Sequence, residues 1–284
     1  MQTKQTVIAL VTAAILAISA IARAETSAES FAKGEKLLVK GEFETALQSY
    51  AVAARADQSN QEYMQHYAMV RRIVDLRGRL DAETKRQQWE YMARALRSFY
   101  VNERIYPELL KLDQAIHAKL KSAESASFLA ETQLAMDQNT AAVQTLSALE
   151  PSKTTAMAQL FLGIALVRSG KADQAKQIAE KFSLPNDAAP SVTYTAARLY
   201  AATGDSAKAM GLLKACFEAT LPSQLDSFKS HAKTCPEFAT VASNPEFAGV
   251  MKTESKVSES KCSGGSSCAG CPMSGKCPKS QGKQ

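Results

Sequence analysis

Histidine is scarce in this chain, three residues in 284. His66, His117 and His231 have no cysteine or second histidine at ligand spacing beside them, so each reads as an ordinary helix-surface residue. The sequence also lacks G-x-S-x-G, H-E-x-x-H and a phosphate-cradling glycine loop. The nucleophile-elbow triad, the zincin centre and the P-loop therefore lose their defining residues, and neither an enzyme class nor a cofactor is expected. An excess of one charge sign is missing from the body of the chain. Of the formal +6, residues 1–24 hold +2 and residues 252–284 hold +4, which leaves the stretch between them neutral. That excludes a polyanion-binding surface spread over the fold. With 45% hydrophobic and 22% charged residues, neither wholesale disorder nor a multi-span membrane protein fits.

What is present begins with a leader. Residues 1–6 carry one lysine, residues 7–22 form an apolar run relieved only by Thr12 and Ser19, and Ala22-Arg23-Ala24 precedes Glu25. This is the construction of a secretory signal peptide, residues 1–24, with a mature chain starting at Glu25. Sixteen apolar residues fall short of the ~20 needed to span a bilayer, so no stable membrane anchor is expected after cleavage. No cysteine stands at the cleavage point to take a lipid. The expected location is periplasmic or extracellular, where disulfides are permitted and nucleic acid is not an expected partner.

Internal periodicity follows. One segment runs Gly34, Gly41-Glu42-Phe43, Ala46, Tyr50, Ala53; another runs Leu162-Gly163, Leu166, Gly170-Lys171, Ala175, Ala179; a third runs Ala197, Tyr200, Gly204-Asp205, Ala209, Leu213. Small residues stand where paired helices must approach closely, and glycines stand where the chain must turn. The last two segments are offset by 34 residues. In this spacing the chain resembles the tetratricopeptide repeat family, whose unit is a helix hairpin. Weaker units start at Leu129-Ala130, running through Ala142, Leu146 and Pro151, and at Trp89, Met92-Ala93 and Leu96, resuming at Tyr106 and Leu109. Residues 61–79 read as one long helix, with Tyr63, Tyr67, Val70 and Val74 on one stripe and no clear partner.

The resemblance implies an all-α fold: a right-handed superhelical solenoid of about five hairpins. Residues 25–220 would form the repeat domain, 221–251 capping helices, and 252–284 a disordered tail rich in Ser, Lys, Gly and Cys. Cys235-Pro236-Glu237-Phe238 and Asn244-Pro245-Glu246-Phe247 look like the segment that closes such arrays in bacterial proteins, with a docking motif as the alternative. In the family the first helix of each hairpin lines the concave face. Projected here, that gives Glu90, Arg94, Arg97, Glu131, Arg168, Tyr194 and Arg198 as a partner-binding groove. The Lys and Asn arrangement with which some members hold a peptide carboxylate is missing at the matching places, so the implied partner is a protein or peptide of unspecified chemistry. The run Arg71, Arg72, Arg77, Arg79, Lys85, Arg86, interleaved by Asp75, Asp81 and Glu83, reads first as a solvated face with local ion pairs and second as a partner surface.

Cysteine chemistry supplies the competing reading. Cys262, Cys268, Cys271 and Cys277 form C-x5-C-x2-C-x5-C in the tail, which fits disulfides, a metal site to which Met273 adds a thioether, or free thiols. Under that reading the tail is the working part of a metal-binding or thiol-redox protein and the repeats are its mount. Cys216 and Cys235 are a possible structural disulfide stapling the cap to the array, or two inert thiols. Four thiols within 16 residues close short loops at small entropic cost, whereas a metal must order the whole segment. Mass spectrometry of aerobically isolated, unreduced protein should therefore show the tail oxidised within itself, Cys262 and Cys277 each pairing with one of the central two. Near one equivalent of metal by elemental analysis is the contrary result.

Overall fold

The computed structural model describes residues 25–258. The expected signal segment and the four tail cysteines lie outside them. Among the described residues there are thirteen α-helices, two 3-10 turns and no strand, so the chain is all-α. They form two compact units, one reaching to Leu120 and the other starting at Lys121.

The first unit holds α1 (Ser27–Val39), α2 (Phe43–Ala56), α3 (Gln61–Ala82), α4 (Arg86–Asn102) and α5 (Tyr106–Leu120). Thr26 opens α1 with a capping box, its hydroxyl accepting from the Glu29 amide while the Glu29 carboxylate accepts from Thr26. Gly41, at φ 79°, takes the left-handed turn into α2. The two helices then close on Gly34, where an added Cβ would stand 2.8 Å from the Tyr50 ring. Asn60 caps α3 through the Glu62 and Tyr63 amides.

The long α3 does have partners, since it packs between α2 and α4. Its buried positions are Val70, Ile73 and Leu80, with Tyr67 and Val74 partly covered at the margin, so the core-facing stripe is rotated from the expected one. Phe43 and Tyr100 stack at 5.5 Å, and the Arg77 guanidinium lies 4.4 Å above the Phe43 ring while donating to Tyr100 Oη and Glu108.

The second unit holds α6 (Ala123–Ala135), α7 (Asn139–Ser147), α8 (Ala156–Arg168), α9 (Ala172–Lys181), α10 (Pro190–Thr203), α11 (Ser206–Ala219), α12 (Pro222–Thr234) and α13 (Pro245–Val250), with 3-10 turns at Pro151–Lys153 and Pro236–Phe238. Each odd helix from α7 to α11 folds back on the one before it, while α6, α8 and α10 pack in succession. Counting α1/α2 and α4/α5, the described residues contain five hairpins. Proline stands at the first turn of α10, α12 and α13, where its missing N–H costs nothing.

The seam between α8 and α10 closes on Gly163. A Cβ on Gly163 would fall 2.6 Å from Leu199 Cδ1, and Leu199 is fully buried, so its methyls have no space to yield. Gly211, on the exposed side of α11, has open space around it. Gly163→Ala should lower unfolding stability by about 1–3 kcal/mol, while Gly211→Ala should raise it by about 0.5–1 kcal/mol through helix propensity. Urea titrations followed by circular dichroism distinguish the opposite signs.

Candidate functional site

The groove residues read from the sequence divide into two groups, because burial treats them differently. Glu90 and Arg94 sit one turn apart on α4 and pair at 2.9 Å, both partly exposed. Glu131 is exposed on α6. Arg97 turns inward, its Nε 2.9 Å from Oδ1 of Asp113, a carboxylate with no exposed surface.

Arg168, Tyr194 and Arg198 are engaged more deeply still. The 3-10 turn Pro236–Phe238 packs against α10 and sets Glu237 between the two arginines. Arg168 Nε donates to Oε1 at 2.6 Å, and Arg198 Nε donates to Oε2 at 3.0 Å. Arg168 also gives an Nη1 proton to the Leu134 carbonyl at 2.8 Å, satisfying a backbone acceptor at the end of α6. One carboxylate thereby ties the closing segment to α8 and α10, and through Arg168 to α6. Tyr194 is buried against Phe228 and Phe238, and its hydroxyl meets His231 Nδ1 at 2.6 Å.

Electrostatics follow from that geometry. Burial pushes the Glu237 carboxyl up, but Arg198 and Arg168 outweigh it and hold it at about 2. Burial raises the Tyr194 hydroxyl well above its ordinary value, with Cys235 adding to the effect. Of the two readings of Cys216 and Cys235, the stapling disulfide is corrected: both are free and buried. They aim at different acceptors, Cys216 Sγ at the Pro190 carbonyl (3.2 Å) and Cys235 Sγ at Glu237 Oε2 (2.8 Å). Burial lifts both thiols to about 11, which leaves them protonated and poorly nucleophilic at neutral pH. Among the described residues no three His, Cys, Asp or Glu side chains gather as a metal site. The tail cysteines Cys262, Cys268, Cys271 and Cys277 lie outside those residues.

Sequence reasoning missed Glu237 as a functional position. The available signal was the duplicated Pro-Glu-Phe, yet nothing in it says that Glu237 is buried while Glu246 is exposed. The first unit adds a cleft of about 400 Å³ floored by Trp89, Leu96 and Tyr100, with the Lys119 ammonium 4.2 Å from the Trp89 ring centroid.

A family model for the tetratricopeptide repeat matches residues 156–181 and 190–214, the spans of the α8/α9 hairpin and of α10 with most of α11. Those two stretches are tetratricopeptide repeats. A solved tetratricopeptide repeat protein from Parabacteroides merdae ATCC 43184 is similar at 18% identity and a TM-score of 0.38, over 80% of this chain and 98% of that one. No curated protein matches.

Within these repeats, the residues projected onto the inner face of α8 and α10 are occupied by the chain itself. Replacing Glu237 with alanine leaves the mostly covered Arg198 guanidinium without a counter-charge and Arg168 with only Asp137 at 3.8 Å, and should cost about 3–5 kcal/mol. Its folded-state value of about 2 lies below the ordinary 4.5. The stabilisation is thus complete above about pH 4.5 and drains away as pH falls through 2, about 3 kcal/mol in all. Acid titrations of Glu237→Gln should lack that loss, and equal acid sensitivity of the variant and the parent would count against the clamp.

Proposed function

We propose that this protein is a non-catalytic protein–protein interaction scaffold of the cell envelope, exported through the leader at residues 1–24. Tetratricopeptide repeats generally mediate protein–protein interactions, and two adjoining repeats are matched here. The single observation that carries the reading is the run of hairpins α6/α7, α8/α9 and α10/α11 within the second unit, with a small-residue seam at Gly163 against Leu199. Such a series displays successive helices on an extended surface. The recognising side chains that remain outward are, in the first unit, Glu90 and Arg94, of both signs, with Tyr91 exposed next to Glu90, and, separately in the second unit, Glu131. The partner is a protein or peptide, met by groove shape and short-range pairing. The second reading, in which the tail cysteines hold a metal or cycle between thiol and disulfide, rests on their spacing alone.

Deletion separates the two. A photoreactive amino acid introduced at Glu131 should cross-link one defined envelope protein, and the cross-link should persist when residues 252–284 are removed. Loss of the cross-link and of function together on that deletion would transfer the role to the tail.

A further inference from the structure

The cleft in the first unit is bounded by contacts at both ends. Its lining starts at Arg77 on α3, Tyr100 on α4 and Glu108 on α5, and these three side chains are joined: Arg77 Nη1 donates to Tyr100 Oη at 2.8 Å and to Glu108 Oε2 at 3.1 Å. From that closed end the lining runs toward the C-termini of α3 and α5 and the N-terminus of α4. It stops at Trp89 and Lys119, where the ammonium covers the indole ring. Glu108 and Lys119 are eleven residues apart, so the cleft is about 16 Å long. One of its walls is α3, the helix without a place in the repeat pattern.

Charge along this cleft is satisfied at the closed end and nowhere else. There Glu108 is shared between Arg77 and Lys111. Asp81 follows Arg77 by one turn on the same face of α3, and Lys119 follows Glu108 by three turns on the same face of α5. These two stand on opposite walls with opposite charges, and neither has an ionic partner among the described residues. The C-terminus of α3 adds partial negative charge beside Asp81. Asp81 lies about 6 Å from the closed end and Lys119 about 16 Å, which leaves about 10 Å between them along the cleft. Three extended residues span about that distance. Leu80, Leu96 and Leu112 show only their edges to the cleft, and Ala115 is the smallest side chain on the α5 wall, so the space suits a narrow occupant.

We propose that this cleft binds a free short peptide of about three small residues, its terminal ammonium at Asp81 and its terminal carboxylate at Lys119. Both termini are read by charge, and the distance between the two readers sets the length. A capped peptide loses one contact, and a longer chain cannot place both ends. Asp81 and Lys119 are exposed and the apolar floor is nearly covered, so binding is modest, about 100 µM to 1 mM. This role is independent of the scaffold reading, since it uses none of Glu90, Arg94 and Glu131.

Isothermal calorimetry of tri-alanine into the full chain tests it, with emission of Trp89, the single tryptophan in the sequence, as a second readout from the cleft itself. Tri-alanine should saturate in the range above. N-acetyl-tri-alanine and tri-alanine amide, each lacking one charge, should bind at least about fivefold more weakly. Penta-alanine should be weakened as much. Asp81→Asn should weaken tri-alanine and leave the N-acetyl form unchanged, and Lys119→Met should weaken tri-alanine and leave the amide unchanged. Both positions are exposed, and unchanged circular dichroism checks that the variants fold. Absence of heat and of any emission change up to about 10 mM, far above the range expected of such a site, overturns the proposal. Capped peptides that bind as tightly as the free one do the same, as do variants that weaken free and capped peptides alike. Penta-alanine binding as tightly as tri-alanine would assign the cleft to the terminus of a longer chain and end the short-peptide reading.

Discussion

Close approach of helix backbones is the constraint on which this architecture rests. At Gly34 a methyl group would strike the Tyr50 ring, and at Gly163 it would strike Leu199. Around these points the seams are lined by alanines with no exposed surface, among them Ala46, Ala93, Ala130, Ala142, Ala165, Ala175 and Ala197. Small residues bury little apolar area themselves. Their effect is to let large neighbours such as Tyr50, Leu199, Leu213 and Phe217 reach full burial, because interiors are close-packed and a widened seam would leave voids along its length. Turn position depends on the same geometry, since Gly41, Gly170 and Gly204 adopt positive φ where the second helix must fold back.

A repeat array ends with an apolar face and no next hairpin to cover it. The second unit covers its own end with Phe238, Val241, Phe247 and Val250, all buried in one cluster with Leu213 and Phe217. Apolar burial supplies the affinity of that closure but little direction, and the Glu237 carboxylate between Arg168 and Arg198 supplies the register. A buried ion pair contributes little net stability over an apolar substitute of the same shape, yet an alternative placement of the segment would strand the buried Glu237 carboxylate and the mostly covered Arg198 guanidinium. The clamp therefore selects one closure among several that hydrophobic burial alone would tolerate.

The sequence made the hairpins legible because their information is local. A small residue, a turn glycine and an alanine at fixed offsets report helix contact within some forty residues of chain. Helices α2, α9 and α11 begin two residues after the turn glycines Gly41, Gly170 and Gly204. The orientation of Arg168 and Arg198 was not legible, because it depends on Glu237, 69 and 39 residues away in sequence. Projection onto a family groove treats these side chains as surface, and the closing segment makes them interior. Cys216 and Cys235 illustrate the same limit: proximity in sequence suggested a bond, but one thiol is held by the Pro190 carbonyl and the other by Glu237. The stripe on α3 was misjudged for a different reason, since Tyr63 and Tyr67 are large enough to look like core at the margin of a face whose centre is Val70 and Ile73.

A neutral body also determines how any recognition by this protein must operate. Fields that steer partners over distance need a net excess of charge, and between residues 25 and 251 there is none. At physiological ionic strength, screening acts over about 8 Å, so alternating charges on one helix face cancel each other within a few residues. Their arrangement is then sensed only at contact. That confers little on the rate of encounter and much on the discrimination between registers, which is the opposite of what a basic or acidic patch provides. Hairpins packed through similar small-residue seams have the greatest need of that discrimination, since apolar seams alone specify register weakly.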